Sequence, residues 1–231
     1  MKFGILCAMD EEIETLKQAL TNGTTTDISG VTFYEGDING QSVVLVRSGI
    51  GKVQAGFTTA LLVTNFNVNV VINSGSAGGI GKGLHVGDVV LSTQTAYHDV
   101  DARAFDYEYG QLPGQPARFD ADTGWIAKLK TAAEETGLTV KSGLIVSGDQ
   151  FIASKTAITE ILKHFPDALS SEMEALPWVR LLTSLGCHTW LFGQCQMLVM
   201  KTLVLALMTL LLRPVNVLQR CCWRCLKRFN L

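Results

Sequence analysis

The sequence predicts a three-layer α/β fold, and three observations carry that prediction. Short β-branched or apolar runs alternate, through the first 174 residues, with stretches whose apolar residues recur at helical spacing. An Asn-Gly dipeptide joins two of the runs as a tight hairpin would. A third run opens straight into glycines, as a strand covered on both faces does where it meets a site at its carboxyl end. At 231 residues the chain is long enough for one sizeable α/β domain.

The elements follow in order. Lys2–Met9 is an apolar run ending at Asp10-Glu11-Glu12, with Ile13, Leu16 and Leu20 beyond it: a buried strand feeding a helix with an acidic first turn. Val31–Tyr34 and Ser42–Val46 flank Asn39-Gly40, a type I′ hairpin signal. Gly51–Phe66 has helical spacing, and Val70–Ile72 reads as a buried strand. Asn73-Ser-Gly-Ser-Ala-Gly-Gly-Ile-Gly-Lys-Gly83 then reads as a glycine-rich turn. Gly87–Ser92 is a further strand, Asp122–Thr136 a helix, Gly143–Val146 a strand, Ala157–His164 a helix, and Ala168–Ser171 a last strand running into Glu172-Met-Glu174.

Composition breaks at that point. All 21 acidic residues lie at or before Glu174, together with 12 of the 19 Lys/Arg, so this part carries −9. The last 57 residues carry seven Lys/Arg and no acid, five of the six Cys and only two of the 22 Gly. Domains rarely change so sharply inside themselves, and the chain reads as two units, 1–174 and 175–231. A net charge of −2 gives no basic field for nucleic acid. The amino terminus lacks the long apolar stretch of a signal peptide, which predicts a cytoplasmic protein.

Several constellations admit two readings. Glu11 and Glu12 complement the helix dipole; alternatively, a carboxylate at a strand's carboxyl end is placed to activate water. The glycines at 73–83 are a structural turn, or they expose N–H groups to an oxygen-rich ligand. They form neither a Walker A loop, since Ser76 and Gly83 stand at positions that motif reserves for Gly and Ser/Thr, nor a G-x-G-x-x-G. His98, Asp99 and Asp101 have no specific metal-ligand spacing and read as a solvated loop. Glu172 and Glu174 alternate about Met173 as neighbours on one strand face do, which favours a polar ligand. Phe151 and Met173, taken singly, read as core.

Together, Gly4-Ile-Leu-Cys-Ala-Met-Asp-Glu-Glu12, Ser48-Gly-Ile-Gly-Lys52, Asn73-Ser-Gly-Ser-Ala-Gly-Gly79, Tyr97-His-Asp99, Phe105-Asp-Tyr-Glu-Tyr-Gly-Gln-Leu-Pro-Gly114, Val146-Ser-Gly-Asp149 with Phe151-Ile152, and Glu172-Met-Glu174 resemble the 5′-methylthioadenosine/S-adenosylhomocysteine nucleosidases of the nucleoside phosphorylase-like superfamily. Seven stretches in family order over three quarters of the chain are a specific match. The resemblance implies an α/β/α sandwich with a central mixed sheet. It also implies hydrolysis of the adenine–ribose bond of methylthioadenosine, S-adenosylhomocysteine and 5′-deoxyadenosine, with neither metal nor cofactor. Glu12 would activate water, and Glu174 would hold the ribose hydroxyls and stabilise developing positive charge. Met173 would lie on the ribose, and Phe151 with the Ile152 backbone would hold adenine. Ser76, Ala77 and Gly78 would line the ribose and base region, with Met9 and Ile50 nearby. The family is homodimeric, and Phe105 would reach the 5′-substituent pocket of the partner subunit. A purine nucleoside phosphorylase of the same fold, or an inactive nucleoside-binding remnant, are the competing readings.

The family pattern stops at Glu174. It should continue with a strand ending in a Ser-Asp pair, whose Asp protonates adenine N7, and with a closing helix, but no Asp follows Glu174. A base lost just after that codon accounts for this. Reassembled in the shifted frame, Gly186–Leu198 can read V-P-Y-L-V-I-R-A-M-S-D-V; Met200-Lys201 forces Glu, Met208-Thr209 forces Asp, and Gln196-Met197 admits only Asp or Asn. The last strand and helix are therefore expected to be disrupted, apolar surface left unmatched, and activity impaired. The run Met197–Leu212, broken by Lys201, falls short of the roughly 20 residues of a membrane span, and Cys222-x-x-Cys225 has no second pair to complete a zinc site.

Overall fold

Lys2–Cys7 forms β1, buried from Phe3 onward, at the centre of a ten-stranded mixed sheet. The computed structural model describes residues 1–135, 137–175 and 188–195. After α1 (Asp10–Ala19) come β2 (Thr21–Ile28), β3 (Val31–Ile38) and β4 (Gln41–Arg47); β4 lies parallel to β1 on the side opposite β5 (Val70–Gly79). The β3–β4 connection holds Asn39 at φ 52° and Gly40 at φ 80°, the two positive values a type I′ turn requires. α2 (Lys52–Phe66) crosses from β4 to β5. Beyond it lie β6 (Val89–Tyr97), a 3₁₀ turn (Arg103–Phe105), β7 (Phe119–Asp120), α3 (Thr123–Glu135), β8 (Val140–Ser147), α4 (Lys155–His164), β9 (Ala168–Glu172) and β10 (His188–Cys195).

Strand alternation divides the core between the two faces of the sheet. Phe3, Ile5 and Cys7 of β1 pack with Ile13 and Leu16 of α1 and Leu129, Ala132 and Ala133 of α3. Leu6 packs with Ala55, Leu62 and Phe66 of α2, where Phe33 and Phe66 meet at 4.7 Å. Helices on both faces make the three layers. Among the described residues, no helix is long and apolar enough to cross a membrane.

Two expectations change, and one strand had gone unread. Asn73–Gly79 is not a turn: β5 runs through it, because glycine and serine let the backbone stay extended where β9 and Glu12 approach closely, and Gly78 and Gly79 pair with Ser171 and Ser170. The chain turns only afterwards, with Gly83 and Gly87 at positive φ. β2, exposed along almost its whole length, gave no apolar pattern to read. The last strand, expected to be disrupted, has a counterpart in β10, which pairs parallel with β5 from His188↔Val70 to Cys195↔Ala77 and antiparallel with β6. Ladder hydrogen bonds come from the backbone, so a run with aromatic and β-branched residues can occupy the gap between β5 and β6 whatever its frame. Residues 196–231, including the positions of the missing Asp, the closing helix, the apolar run and the Cys cluster, lie outside the described residues.

Candidate active site

The carboxyl-terminal ends of β1, β4, β8 and β9 converge beside the second half of β5, where ligands of open α/β sheets are received. The loops there enclose a cavity of about 390 Å³, within the range of small-molecule sites. Met9, Glu12, Ile50, Ser76, Ala77, Gly78, Phe151, Ile152, Met173 and Glu174 all line it. Of the residues that the family resemblance placed at the substrate, Phe105 alone is not among those lining it: it sits on the 3₁₀ turn, 75 % exposed.

Glu12 is 5 % exposed, whereas Asp10 and Glu11 beside it face solvent. Four donors hold its carboxylate. The Ala8 and Met9 N–H groups reach Oε2 at 2.8 and 3.2 Å, and the Ser76 N–H and hydroxyl reach Oε1 at 3.0 and 2.9 Å. A carboxylate offers about four acceptor sites, so this one is filled. Of the acids in this first turn, Glu12 accepts from the Met9 N–H at the start of α1 and also faces the cavity. Gly75 lies directly against it: a Cβ there would stand in van der Waals contact with Oε2, at 3.4 Å.

Glu174 belongs to no strand. β9 ends at Glu172, so the two acids meet through a turn rather than by strand alternation: the Glu174 and Ala175 N–H groups donate to Glu172 Oε2 at 2.9 and 2.7 Å. Glu174 in turn accepts from the Gly51 N–H at 3.1 Å and the Met173 N–H at 3.2 Å. Burial, and then the neighbouring Glu174, push the Glu172 carboxyl up to about 8, so it is protonated at neutral pH. Burial also raises Glu174, against the opposing pull of the Gly51 and Met173 N–H groups.

Phe151 stands at the rim, 85 % exposed, and Met173 is half-buried, so neither is simply core. The solvated loop expected at 98–101 is only partly that. His98 is buried, Asp99 is ion-paired to Lys52 at 2.7 Å, and Asp101 alone is solvent-facing, paired with Arg103. Burial holds the His98 imidazole below its usual range. Sequence reasoning passed over Ala8, Gln150, Ala153 and Ser171, small or neutral residues that also line the cavity and carry no signal of their own. It also left Lys52 and Asp149 without a role, although a charge inside each of the glycine-containing stretches 48–52 and 147–149 was the available clue.

A family model described as the phosphorylase superfamily matches residues 2–190. The 5′-methylthioadenosine/S-adenosylhomocysteine nucleosidase of Actinobacillus succinogenes is 49 % identical over 175 residues, 76 % of this chain and 76 % of that protein. The one from an Exiguobacterium species is 47 % identical over 178 residues, 77 % of this chain and 76 % of that protein. Among solved structures, the nucleosidase of Colwellia psychrerythraea in complex with adenine superposes with a TM-score of 0.84 at 35 % identity, over 90 % of this chain and 94 % of that one. With the fold, the site and the sequence in agreement, the chain belongs to the phosphorylase superfamily and, within it, to the 5′-methylthioadenosine/S-adenosylhomocysteine nucleosidases.

Proposed function

We propose that this chain binds 5′-methylthioadenosine and S-adenosylhomocysteine, and also 5′-deoxyadenosine, and that its site is built to release adenine from them by hydrolysis in the cytoplasm. One observation carries this reading: Glu12, clamped by four donors, and Glu174, clamped by two, line one cavity of about 390 Å³ with Phe151 at its rim. Glu12 takes a proton from the water that attacks ribose C1′. Three of its four donors are backbone N–H groups and cannot move; the Ser76 hydroxyl can turn away, which frees the lone pair the water needs. Glu174 accepts from the ribose hydroxyls and opposes the positive charge that builds on the ring as the C1′–N9 bond opens. Phe151 and the Ile152 backbone hold the adenine, Met173 lies against the ribose, and Met9, Ile50, Ala77 and Gly78 complete the walls.

The bonding electrons leave with adenine, which must gain a proton at N7. No carboxylate follows Glu174 in the sequence, and Gln196-Met197 stand directly after β10. The chain thus reads as a nucleosidase domain, 1–174, with an out-of-frame segment, 175–231, that withholds the general acid, an effect worth about 10²–10⁴ in rate. The exposed side chains Ile50, Val53 and Phe57, on and beside the first turns of α2, together with Phe105, support a homodimer in which Phe105 of each copy meets the other's site.

The test is to measure adenine release by this chain and by a version with one nucleotide restored after codon 174. The restored protein is expected to release adenine without phosphate, and the present chain to bind nucleoside but turn over at least about 10²-fold more slowly. Phosphate-dependent release would make it a phosphorylase; failure of both proteins to bind nucleoside would overturn the reading.

A further inference from the structure

We propose that Lys52, acting through an ion cluster with Asp99 and Asp149, is the positioning residue that sets Glu174 against the ribose; the inference rests on the nucleoside reading of the cavity. The Lys52 ammonium lies 2.8 and 2.7 Å from the two oxygens of Asp99 and 3.7 Å from Asp149. Backbone bonds close the ring: the Lys52 N–H donates to Asp149 Oδ1 at 2.8 Å, and the Asp149 N–H donates to Asp99 Oδ2 at 2.8 Å. Three chain segments, the start of α2 and the loops after β6 and β8, are thus tied at one point. Lys52 and Asp99 are only 19 % and 12 % exposed in their side chains, so solvent screens the pair less than a surface ion pair.

The cluster reaches the cavity through Gly51. That residue precedes Lys52 and donates its N–H to Glu174 at 3.1 Å. Its φ of +99° is a glycine conformation, and a Cβ there would stand 3.3 Å from Asp149 Oδ1. The direction of that N–H is therefore tied to where Asp149 holds the Lys52 N–H, one residue further along the backbone. Packing leaves the cluster little slack: a Cβ on Gly148 would fall 2.5 Å from His98 Nε2 and 2.9 Å from Asp99 Cγ. None of Lys52, Asp99 and Asp149 lines the cavity itself; the hydrogen-bonded link from the cluster to Glu174 runs through Gly51, whereas the link to Phe151 and Ile152 is through the chain alone. Without the ammonium, two carboxylates face each other unneutralised, and the loop bearing Gly51 has reason to move.

Adenine and 5′-methylthioadenosine separate this role from a scaffold role, because only the second has a ribose. Equilibrium binding of both by calorimetry needs no turnover and uses the full chain. Lys52→Met is expected to weaken methylthioadenosine by about tenfold, the scale of one hydrogen bond to a charged group, while adenine stays within about twofold. Glu174→Gln is expected to do the same, and Lys52→Met with Glu174→Gln to lose no more than Glu174→Gln alone. Should Lys52→Met not fold, the near-isosteric Asp99→Asn is read instead, with a loss of about threefold confined to methylthioadenosine. Equal losses for both ligands, no loss, or additive losses in the double variant overturn the positioning role alone. A parent chain that binds neither ligand overturns the nucleoside reading, and this inference with it.

Discussion

Replacing Glu12 by Gln tests the central group of the site in two independent ways. Gln keeps the shape but exchanges one carboxylate oxygen for an NH₂. Placed at the Oε2 position, that NH₂ would face the fixed Ala8 and Met9 N–H groups, donor against donor. Placed at Oε1 it opposes only the Ser76 N–H, since the Ser76 hydroxyl can rotate and accept from it. The second pose wins. It leaves one buried N–H without an acceptor and turns the other three charge-assisted bonds into neutral ones, a loss of about 2–3 kcal/mol in unfolding free energy. Adenine release under single-turnover conditions, measured on the frame-restored protein so that the leaving group is protonated, is expected to fall by about 10²–10⁴, because the attacking water loses its base. Urea unfolding and a rapid-quench adenine assay measure the two effects separately. A normal single-turnover rate would refute Glu12 as the base, and a stability loss below about 0.5 kcal/mol would refute the four-donor clamp.

The raised Glu172 carboxyl makes stability fall with pH. Its folded value, about 8, lies above the ordinary 4.5, so its contribution is complete below about 4.5 and is lost as pH rises through 8, with a slope of up to about 1.4 kcal/mol per pH unit. Urea midpoints from pH 5 to 9 should decline more steeply in the parent than in Glu172→Gln, which keeps only the contribution of other raised groups such as Glu174; parallel curves would refute it. Val53→Glu puts a charge on the apolar patch of α2, where Val53 is 80 % exposed; under the proposed homodimer, the parent is expected to sediment as a dimer and the variant as a monomer at micromolar concentration. An unchanged sedimentation coefficient would mean that this face is not the interface.

Local patterns were legible wherever one rule decided the conformation. The Asn39-Gly40 turn, the strand Lys2–Cys7 and the helices starting near 52, 123 and 155 follow from turn chemistry, apolar runs and helical spacing. Reading failed where tertiary contacts overrode the local signal. Asn73–Gly79 looks like a turn and is a strand, because neighbouring β-strands supply the pairing its side chains do not encourage. His98 looks solvated and is buried, since Gly148 lets the next loop lie directly on its ring.

By itself, the sequence determined the alternation of elements, the break after Glu174 and the residue types gathered at the cavity. It did so because hydrophobic period, turn residues and charge content are properties of neighbours along the chain. The tertiary structure decided which of three adjacent acids is buried, that Ser76 clamps Glu12 from 64 positions away, and that Gly51 meets Glu174 across 123. Those contacts depend on strands laid side by side and on water excluded from between them, and no local pattern encodes either.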